Sequence, residues 1–367
     1  MIDRGSNSLL AIGVGHAGCE VLRTVDANRM DQRFDRLGID TDATELERVA
    51  ASGIATYLAG GEACQGKGVR SDVEQAIQCM EDATADFAGM LKGHSLVVVV
   101  AGLGGCTGGA LEPLLRTAEE TQTPVILLGI LPFAFESIER KQRANALLND
   151  VEMYCQAVIL APNDLALRDV GKLPAEQAFA MVNQYLGEVL LGVMTPYSAR
   201  PLLNMDTGIL GTLGRNGTSR CQFVHAFGDD AEHLLGALRG QPLFQRQDIL
   251  RSADCAVALL RLNGDCSGDD LDFVMEGIGR ILPNMNLETS ACVDSEMSSS
   301  MSLTLLLHQM DVQPLHAGAP PAQKRTPPVL SKEMLGVFSG DAENIWNGEN
   351  LDIPTFRRRG VNLDRGK

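Results

Sequence analysis

The stretch SLVVVVAGLGGCTGGA at residues 95–110 decides the fold class of this chain. Its run of valines is typical of a buried strand, and the strand passes directly into a glycine-rich turn that precedes a helical pattern. Because each glycine costs backbone entropy on ordering, a merely tight strand-to-helix turn explains this run poorly. The N–H groups of such a loop can cradle phosphates, with the Thr107 hydroxyl as a further donor. The stretch therefore predicts a loop that wraps around a di- or triphosphate.

A second candidate phosphate loop lies at residues 13–18, with the sequence GVGHAG. It follows an apolar run and opens a helical pattern, where small residues let backbone N–H groups approach an anion at a helix N-terminus. The same letters match the dinucleotide fingerprint G-x-G-x-x-G, and Asp40 and Asp42 follow a little over twenty residues later. On this loop alone, a Rossmann-type nicotinamide-dependent oxidoreductase is therefore an open alternative.

The rest of the chain indicates two lobes joined by a helix. Short apolar runs alternate with helical patterns through the first half, including one helix around Val73–Leu91, which predicts crossover units on a parallel sheet. From Ala175 to about Met194, apolar residues recur at helical spacing, which predicts one long buried helix. The runs CQFVHAFGDD, CAVALLRLNG and SMSLTLLLHQM then predict strands of a smaller α+β lobe that ends near Met310.

Charge and cysteine content exclude several classes of protein. Asp and Glu outnumber Lys and Arg by 47 to 31, and the net charge of −16 repels phosphate backbones, which argues against a general nucleic-acid binder. The nine cysteines are widely spaced, with no Cys-x-x-Cys pair, so neither a zinc site nor a disulfide framework is predicted. No signal segment or membrane-spanning run is recognisable, so we expect a cytoplasmic protein with reduced thiols.

Taken together, the motifs resemble those of the tubulin/FtsZ superfamily. The run GGCTGGA is similar to the signature GGGTG[ST]G, and GVGHAGCEVL resembles the FtsZ stretch GVGGGGGNAV. The runs IDTDATEL, PFAFESIER, APNDLAL and EQAFAMVNQ resemble INTDAQAL, PFNFEGKKR, IPNDKLL and DAFGAAND of FtsZ, in the same order. The resemblance covers about residues 8–312 and the C-terminal tip, and the chain is identified as a divergent bacterial FtsZ.

This resemblance implies an α/β, tubulin/FtsZ-like fold. It places a parallel-sheet GTP-binding domain at residues 8–175, a long central helix at 176–196 and a smaller α+β domain at 197–312. The run VQPLHAGAPPAQKRTPPVL is rich in Pro, Ala and polar residues and cannot bury enough apolar surface to become ordered, which predicts a flexible linker, placed at residues 313–349. Residues 350–367 would then be a C-terminal docking peptide for a partner.

The resemblance also implies the residues that bind GTP or GDP, with Mg²⁺ carried by the nucleotide and no protein ligand assigned to the metal. The two glycine-rich loops would hold the phosphates, Glu136 and Arg140 would contact ribose and base, and Asn183 and Gln184 would read the base. The implied nucleotide-binding residues are Gly15, His16, Ala17, Gly18, Cys19, Glu20, Gly104, Gly105, Cys106, Thr107, Gly108, Gly109, Glu136, Arg140, Asn183 and Gln184.

Two departures from the FtsZ pattern weaken this implied site. Gln184 replaces an aspartate, and its amide oxygen can accept from guanine N1–H only without charge assistance. Gly109 and Ala110 replace the Ser or Thr and the last glycine of the signature, so one hydroxyl that could hold phosphate or Mg²⁺ is missing. We therefore expect a less strict preference for guanine and a weaker affinity for nucleotide.

In this family, a loop of the next subunit completes the hydrolytic site in trans. LNMDTGI at residues 203–209 resembles the FtsZ loop MNVDFAD, so Asn204 and Asp206 are the catalytic candidates, while Ile209 replaces the second aspartate. Losing such an acid–base group typically costs about 10²–10⁴-fold in rate, so we expect slow GTP hydrolysis. Two alternatives stay open: Asp206 serves only as a turn or helix-cap residue, or the chain is a GTP-binding scaffold that does not hydrolyse.

The tail is predicted to dock onto a partner. GVFSGDAENIWNGENLDIPTFRRR resembles the GRFE…GEDLDVPTFLRR ending of some FtsZ proteins, with a solvated basic tail as the alternative. The resemblance implies head-to-tail filaments of the chain itself at the division site, and a membrane-tethering adaptor such as FtsA bound to the tail. The implied partner-binding residues are Leu351, Asp352, Ile353, Pro354, Phe356, Arg357 and Arg358.

Overall fold

The computed structural model describes residues 8–26, 34–162, 173–197, 201–203, 220–245, 250, 253–283, 285–309, 345–346 and 349–350. Residues 1–314 form one compact unit and residues 315–367 a second. Of the second unit, the structure describes an antiparallel pair of short strands, Ile345–Trp346 and Glu349–Asn350. The predicted hydrolytic residues Asn204, Asp206 and Ile209 and the predicted docking residues at 351–358 lie outside the described residues.

Strands and helices alternate along residues 8–162, as the sequence predicts. The strands are β1 (Leu9–Val14), β2 (Asp35–Asp40), β3 (Ala55–Leu58), β4 (Leu96–Gly102), β5 (Val125–Leu131) and β6 (Ala157–Pro162). The helices are α1 (Gly15–Arg23), α2 (Ala43–Ala50), α3 (Gly61–Cys64), α4 (Val73–Asp82), α5 (Thr84–Leu91), α6 (Glu112–Glu120) and α7 (Ile138–Val151). The helix expected around Val73–Leu91 is thus two helices, because Ala83 leaves helical geometry with ψ near −2°.

The second half adds a long helix and a smaller α+β region. Its elements are α8 (Ala175–Met194), β7 (Pro201–Leu203), β8 (Arg220–Gly228), α9 (Ala231–Gly240), β9 (Ala253–Leu262), α10 (Gly268–Ile281), β10 (Asn286–Val293) and β11 (Met301–Gln309). Three of these strands match the predicted runs. Strand β10 was not predicted, because its sequence NLETSACV carries polar residues along half its length.

All these strands join one sheet in the order β3-β2-β1-β4-β5-β6-β8-β11-β9-β10-β7. Every neighbouring pair from β3 to β8 is parallel, whereas β11 pairs antiparallel with both β8 and β9. Strands β4 and β5 are buried along nearly their whole length, as expected for a parallel sheet covered on both faces. The α/β fold class with a parallel-sheet core is therefore confirmed.

Helix α8 packs into the middle of the molecule. Val189, Leu190 and Val193 are fully buried in a cluster that contains residues of both halves of the sheet. At Gly192, an added Cβ would lie 2.1 Å from Thr304 Oγ1, so the helix backbone rests directly on β11. Phe179 departs from the expected buried stripe, because 44% of its surface is exposed. No helix of the described residues combines the length and apolar character needed to cross a membrane.

Candidate functional site

A cavity of about 630 Å³ opens beyond the carboxyl ends of β1, β2, β4 and β5. This is the end of an open α/β sheet at which ligands bind, and the volume suits a ligand of nucleotide size. Both glycine-rich turns line the cavity, the first through Gly15, His16 and Ala17 and the second through residues 104–108. The fold therefore brings the two predicted phosphate loops to one site.

Most of the predicted nucleotide-binding residues border this cavity. Glu20 borders it on the side of the first loop, Glu136 and Arg140 on the side of the second loop, and Asn183 projects from α8. The predicted residues that line the cavity are Gly15, His16, Ala17, Glu20, Gly104, Gly105, Cys106, Thr107, Gly108, Glu136, Arg140 and Asn183. The remaining predicted residues, Gly18, Cys19, Gly109 and Gln184, are not among the lining residues.

Gly18, Cys19 and Gly109 pack against other parts of the protein. A Cβ at Gly18 would lie 2.1 Å from Val100 O, so this glycine lets α1 press against β4. Cys19 is buried and its Sγ donates to Gly13 O at 3.4 Å, and burial raises the pKa of its thiol to about 12. A Cβ at Gly109 would meet Arg143 Cδ at 3.0 Å.

Gln184 is displaced by helical geometry. The α8 residues that face the cavity are Phe179, Val182, Asn183 and Leu186, which share one helix face at the usual three- and four-residue spacing. Gln184 is exposed and lies off that face. Asn183 is therefore the polar residue that α8 contributes to the cavity lining.

The glycines of the two loops differ in how much space surrounds them. Gly15 has φ of +71°, and a Cβ there would approach Gly108 N at 3.1 Å. The two loops thus touch through their backbones at this point. Within the second loop, a Cβ at Gly108 would lie 2.4 Å from Gly102 O, which leaves no space for a side chain. At Gly105, by contrast, a Cβ would meet only Gly102 O at 3.4 Å. Gly105 is thus free to take a side chain without disturbing its neighbours in the protein.

A buried polar cluster at the base of the cavity was not predicted as part of a phosphate site. Asp40 Oδ1 accepts from Thr41 N at 2.6 Å and from Thr107 Oγ1 at 3.0 Å, and Thr41 Oγ1 lies 3.1 Å from Thr107 Oγ1. Burial raises the pKa of Asp40, opposed by the hydrogen bonds from Thr41 and Thr107. The sequence placed Asp40 in the dinucleotide alternative and in the run IDTDATEL, but it could not show the contact with Thr107, which spans 67 residues.

Arg143 also belongs to the site, although the sequence analysis did not predict it. Its Nη1 donates to Gly104 O at 3.1 Å and to Gly105 O at 3.4 Å, which ties the carbonyls of the second loop to helix α7. Its stem occupies the space beside Gly109 where the family signature carries a hydroxyl side chain. The sequence signal that could have identified Arg143 is its position, one helical turn after the run PFAFESIER.

The turn before α7 and one face of α8 add aromatic rings to the cavity lining. Phe133 packs edge to face against Phe179, with ring centroids 5.6 Å apart, and stacks on Phe135 at 4.9 Å. Glu136 accepts from Phe133 N at 2.8 Å and pairs with Arg140 at 2.6 Å, which anchors the turn before α7. The cavity lining thus has a polar, glycine-rich part, here called the polar end, and an aromatic part, here called the apolar end.

The comparison with protein families agrees with this geometry. Residues 8–171 match the model of the Tubulin/FtsZ family, GTPase domain. The first half of the chain therefore resembles a tubulin/FtsZ GTPase domain. This match favours a tubulin/FtsZ-like domain over the Rossmann oxidoreductase alternative, because it includes the glycine-rich first loop.

Relatives and solved structures extend the likeness along the chain. The cell division protein FtsZ of Methanothermobacter thermautotrophicus is 23% identical over 313 residues, covering 84% of this chain and 80% of that protein. FtsZ 1 of Halobacterium salinarum is 26% identical over 351 residues, covering 92% and 87%. An FtsZ dimer of M. jannaschii superposes with a TM-score of 0.71 at 19% identity, covering 83% and 89%.

A further structural neighbour is a GTPγS-bound protofilament of CetZ2 from Haloferax volcanii. It has a TM-score of 0.62 and 21% identity, and the match covers 82% of this chain and 92% of CetZ2. These members of the tubulin/FtsZ family come from archaea, so the bacterial origin that the sequence resemblance implied is not supported.

Proposed function

We propose that this chain binds GTP and GDP in the cavity and assembles head to tail into filaments that act in cell division. The observation that carries the proposal is the meeting of both glycine-rich loops around one cavity of about 630 Å³. In this proposal, residues 8–175 form the GTP-binding domain, 176–196 the central helix and 197–312 the domain with the trans-acting loop.

The polar end of the cavity would hold the phosphates. Backbone N–H groups at the start of α1 and along residues 104–108 offer donors to an anion, aided by the positive end of the helix dipole. Gly15 and Gly108 are required as glycines by their close approach, whereas Gly105 leaves its space to the ligand. Arg143 supports this loop from behind through two carbonyls.

The apolar end would hold the base and sugar. Phe133 and Phe179 provide ring surfaces, and Asn183 provides a donor and an acceptor on the same helix face as Phe179. Glu136 and Arg140 also line the cavity and would contact the ribose. Because an amide rather than a carboxylate faces the base, discrimination of guanine from adenine is expected to be modest.

A divalent cation would accompany the triphosphate. Mg²⁺ is usually held by one or two carboxylates together with phosphate oxygens and water. Asp40 fits this role, because it is buried beside Thr107 on the second phosphate loop and lines the cavity. When bound, Mg²⁺ would neutralise phosphate charge, and Asp40 would orient it.

Filament formation is supported by the exposed apolar residues beside the cavity. Phe135 and Ile138 are 76% and 72% exposed, which is unusual for large apolar side chains unless a partner covers them. A head-to-tail contact on this face leaves complementary surfaces at both ends and generates an open filament. The neighbour's loop at 203–209 would then complete the hydrolytic site, with Asn204 and Asp206 as its polar residues.

Two further parts of the proposal rest on the sequence. Ile209 favours a second candidate function, a filament scaffold that binds GTP but scarcely hydrolyses it, because an isoleucine cannot orient or deprotonate water. The tail at 350–367 would bind a membrane-tethering adaptor such as FtsA, through the apolar anchors Leu351, Ile353 and Phe356 flanked by arginines.

The deciding experiment measures phosphate release and sedimentation together, with GTP present, across a series of protein concentrations. Turnover and pelleting that rise together above one threshold concentration support an assembly-coupled GTPase. Pelleting without phosphate release supports the scaffold. Competition of GTP and NADH for a fluorescent guanine nucleotide tests the site itself, and displacement by NADH alone would refute the proposal.

A further inference from the structure

Gly109 differs from Gly15 and Gly108 in the reason for its lack of a side chain. Its φ lies outside the left-handed region, and an added Cβ would meet Leu103 O only at the ordinary distance of 3.4 Å. The backbone therefore does not require glycine at residue 109. The tight contact is with Arg143, whose Cδ would lie 3.0 Å from the added Cβ. The stem of Arg143 thus occupies the space that a side chain at residue 109 would need.

The guanidinium of Arg143 contacts three consecutive residues of the second phosphate loop. Its Nη1 donates to Gly104 O at 3.1 Å and to Gly105 O at 3.4 Å, and it lies 3.8 Å from Cys106 Sγ. Gly105 O also accepts from Gly109 N at 3.1 Å, so this carbonyl is held from two sides. Within the residues that the structure describes, no carboxylate pairs with Arg143.

These bonds decide which way the peptide groups of the loop face. In a trans peptide, the C=O of one residue and the N–H of the next point in opposite directions. Because Gly105 O is held by Arg143, the N–H of Cys106 points away from the guanidinium, and Cys106 lines the cavity. In the described part of the chain, the N–H groups of Cys106 and Thr107 have no acceptor. Successive N–H groups of this kind form a site for an anion.

The charge of Arg143 also matters for an anionic ligand. The carboxylates that line the cavity are those of Glu20, Asp40, Asp42, Glu45 and Glu136. Phosphates in this cavity meet several negative charges, and Arg140 is already paired with Glu136. Arg143 is half-buried directly behind the loop, where water and salt screen its charge less than at an exposed site. Its positive charge therefore favours an anion on the other side of the loop.

We propose that Arg143 is a positioning residue of the nucleotide site and takes the place of the hydroxyl side chain that the signature GGGTG[ST]G carries at residue 109. It holds the loop carbonyls on its own side, so that the N–H groups of Cys106 and Thr107 face the phosphates, and it adds positive charge behind them. The inference rests on the proposed function, since it requires the phosphates to lie on residues 104–108. Gly109 and Arg143 then act as a pair, and changing both is less harmful than changing either.

The pairing is tested by the affinities for GTPγS and GDP, measured on the full chain below its assembly concentration. Arg143→Ala should lower both affinities by about 10-fold, the worth of a hydrogen bond from a charged donor. Gly109→Thr should also lower both, because the new side chain displaces the arginine stem from its carbonyls. The double variant should bind within about 3-fold of the wild type, since the hydroxyl side chain then fills the vacated space.

Variants that change the charge separate positioning from structural support alone. Arg143→Lys keeps the cation and should stay within about 3-fold of the wild type, whereas Arg143→Gln keeps a donor without charge and should lose about 10-fold. This difference should shrink at high salt, which screens the charge. The control is Arg36→Ala, which removes another half-buried guanidinium that donates to a carbonyl, Val25 O, away from the cavity. It should leave both affinities unchanged, and urea denaturation checks that each variant folds.

The outcomes separate the two proposals. A wild-type chain that binds neither nucleotide refutes the proposed function. If the wild-type chain binds both and Arg143→Ala binds them as tightly, Arg143 does not position the loop, and this inference alone fails. Losses that simply add in the double variant would overturn the pairing, and this comparison remains open if Arg143→Ala does not fold. Equal affinities of Arg143→Lys and Arg143→Gln would overturn the role of charge.

Discussion

The two halves of the molecule differ in whether their cationic side chains are paired. Around the cavity of the first half, Lys67 and Arg70 have no partners in the described residues, although the cavity is rich in carboxylates. In the second half, Arg261 is completely buried, and its guanidinium bonds to Asp294 at 3.0 Å, Glu188 at 2.5 Å and Ser302 at 3.0 Å. The two cations of the first half border an open cavity, whereas the paired cation of the second half holds α8 to the sheet.

His225, a buried histidine of the second half, follows the same structural pattern. His225 Nδ1 lies 2.8 Å from Thr304 Oγ1, and His225 N donates to Tyr185 Oη of α8 at 3.1 Å. Burial, with the nearby Arg261 charge, lowers the pKa of His225 well below its usual value, so the ring is neutral. Polar groups of this half link α8 to β8, β9 and β11, and none of these residues lines the cavity.

The largest effect should come from breaking the buried ion network. Arg261→Met leaves Asp294 and Glu188 without this cation, and loss of one partner of a buried pair costs about 3–5 kcal/mol of unfolding free energy. Arg280→Met, which removes an exposed cation paired with Glu276 at 2.6 Å, is the control and should cost less than about 1 kcal/mol. Urea denaturation measures the unfolding free energy of both variants. Equal unfolding midpoints would mean that the buried ion network of the second half stabilises the fold no more than an exposed ion pair does.

The second prediction sharpens the assignment of the first half to ligand binding. Gly105→Ser combined with Thr107→Ala should lower nucleotide affinity by about 100-fold or more, because a side chain enters the space of the phosphates and one donor is lost. The fold should be retained, since a Cβ at Gly105 meets only ordinary contacts. Gly89→Ser, at an exposed helical glycine with open space around it, is the control. Retained GTP affinity would place the phosphates elsewhere.

The third prediction asks whether the second half also serves the chemistry. Ile209→Asp should raise polymer-dependent GTP turnover by roughly 10-fold, because it restores a carboxylate to the trans-acting loop. Asp206→Ala should abolish residual turnover without weakening nucleotide binding to the isolated subunit. Both effects should appear in phosphate-release assays only above the assembly concentration. If Ile209→Asp filaments form with unchanged turnover, the second half contributes structure alone.

The smallest predicted effect is a pH dependence of stability from His225. The unfolded histidine takes up a proton below about pH 6.5, while the buried ring stays neutral, so its contribution is complete above that pH and is lost as pH falls. We expect about 1 kcal/mol less unfolding free energy at pH 5.5 than at pH 6.5 from this residue. Denaturation at both values should show a shallower slope for His225→Asn than for the wild type. Equal slopes would show that the ring is protonated in the folded state.

Local patterns in the sequence were sufficient for much of the fold. The valine run of β4 and the helical spacing from Ala175 to Met194 are confirmed, because both depend on neighbours within the same element. Strand β10 escaped prediction because its place beside β9 depends on pairing with a distant strand. Phe179 falls on the apolar helical spacing of α8, which predicted that it is buried. It is partly exposed because it borders the cavity.

For the site, the sequence by itself determined that two glycine-rich turns follow two strands, because glycine is required wherever backbones approach as closely as Gly15 and Gly108 do. It could not determine that Asp40 bonds to Thr107, that Arg143 supports the second loop, or that Lys67 and Arg70 reach the same cavity. These contacts join residues far apart in the chain, and only the parallel sheet brings the carboxyl ends of β2 and β4 to the same edge, on either side of β1. The sequence reveals where the backbone requires glycine, because the residue type itself meets that requirement. Contacts between charged residues that lie far apart in the chain are decided only by the tertiary structure.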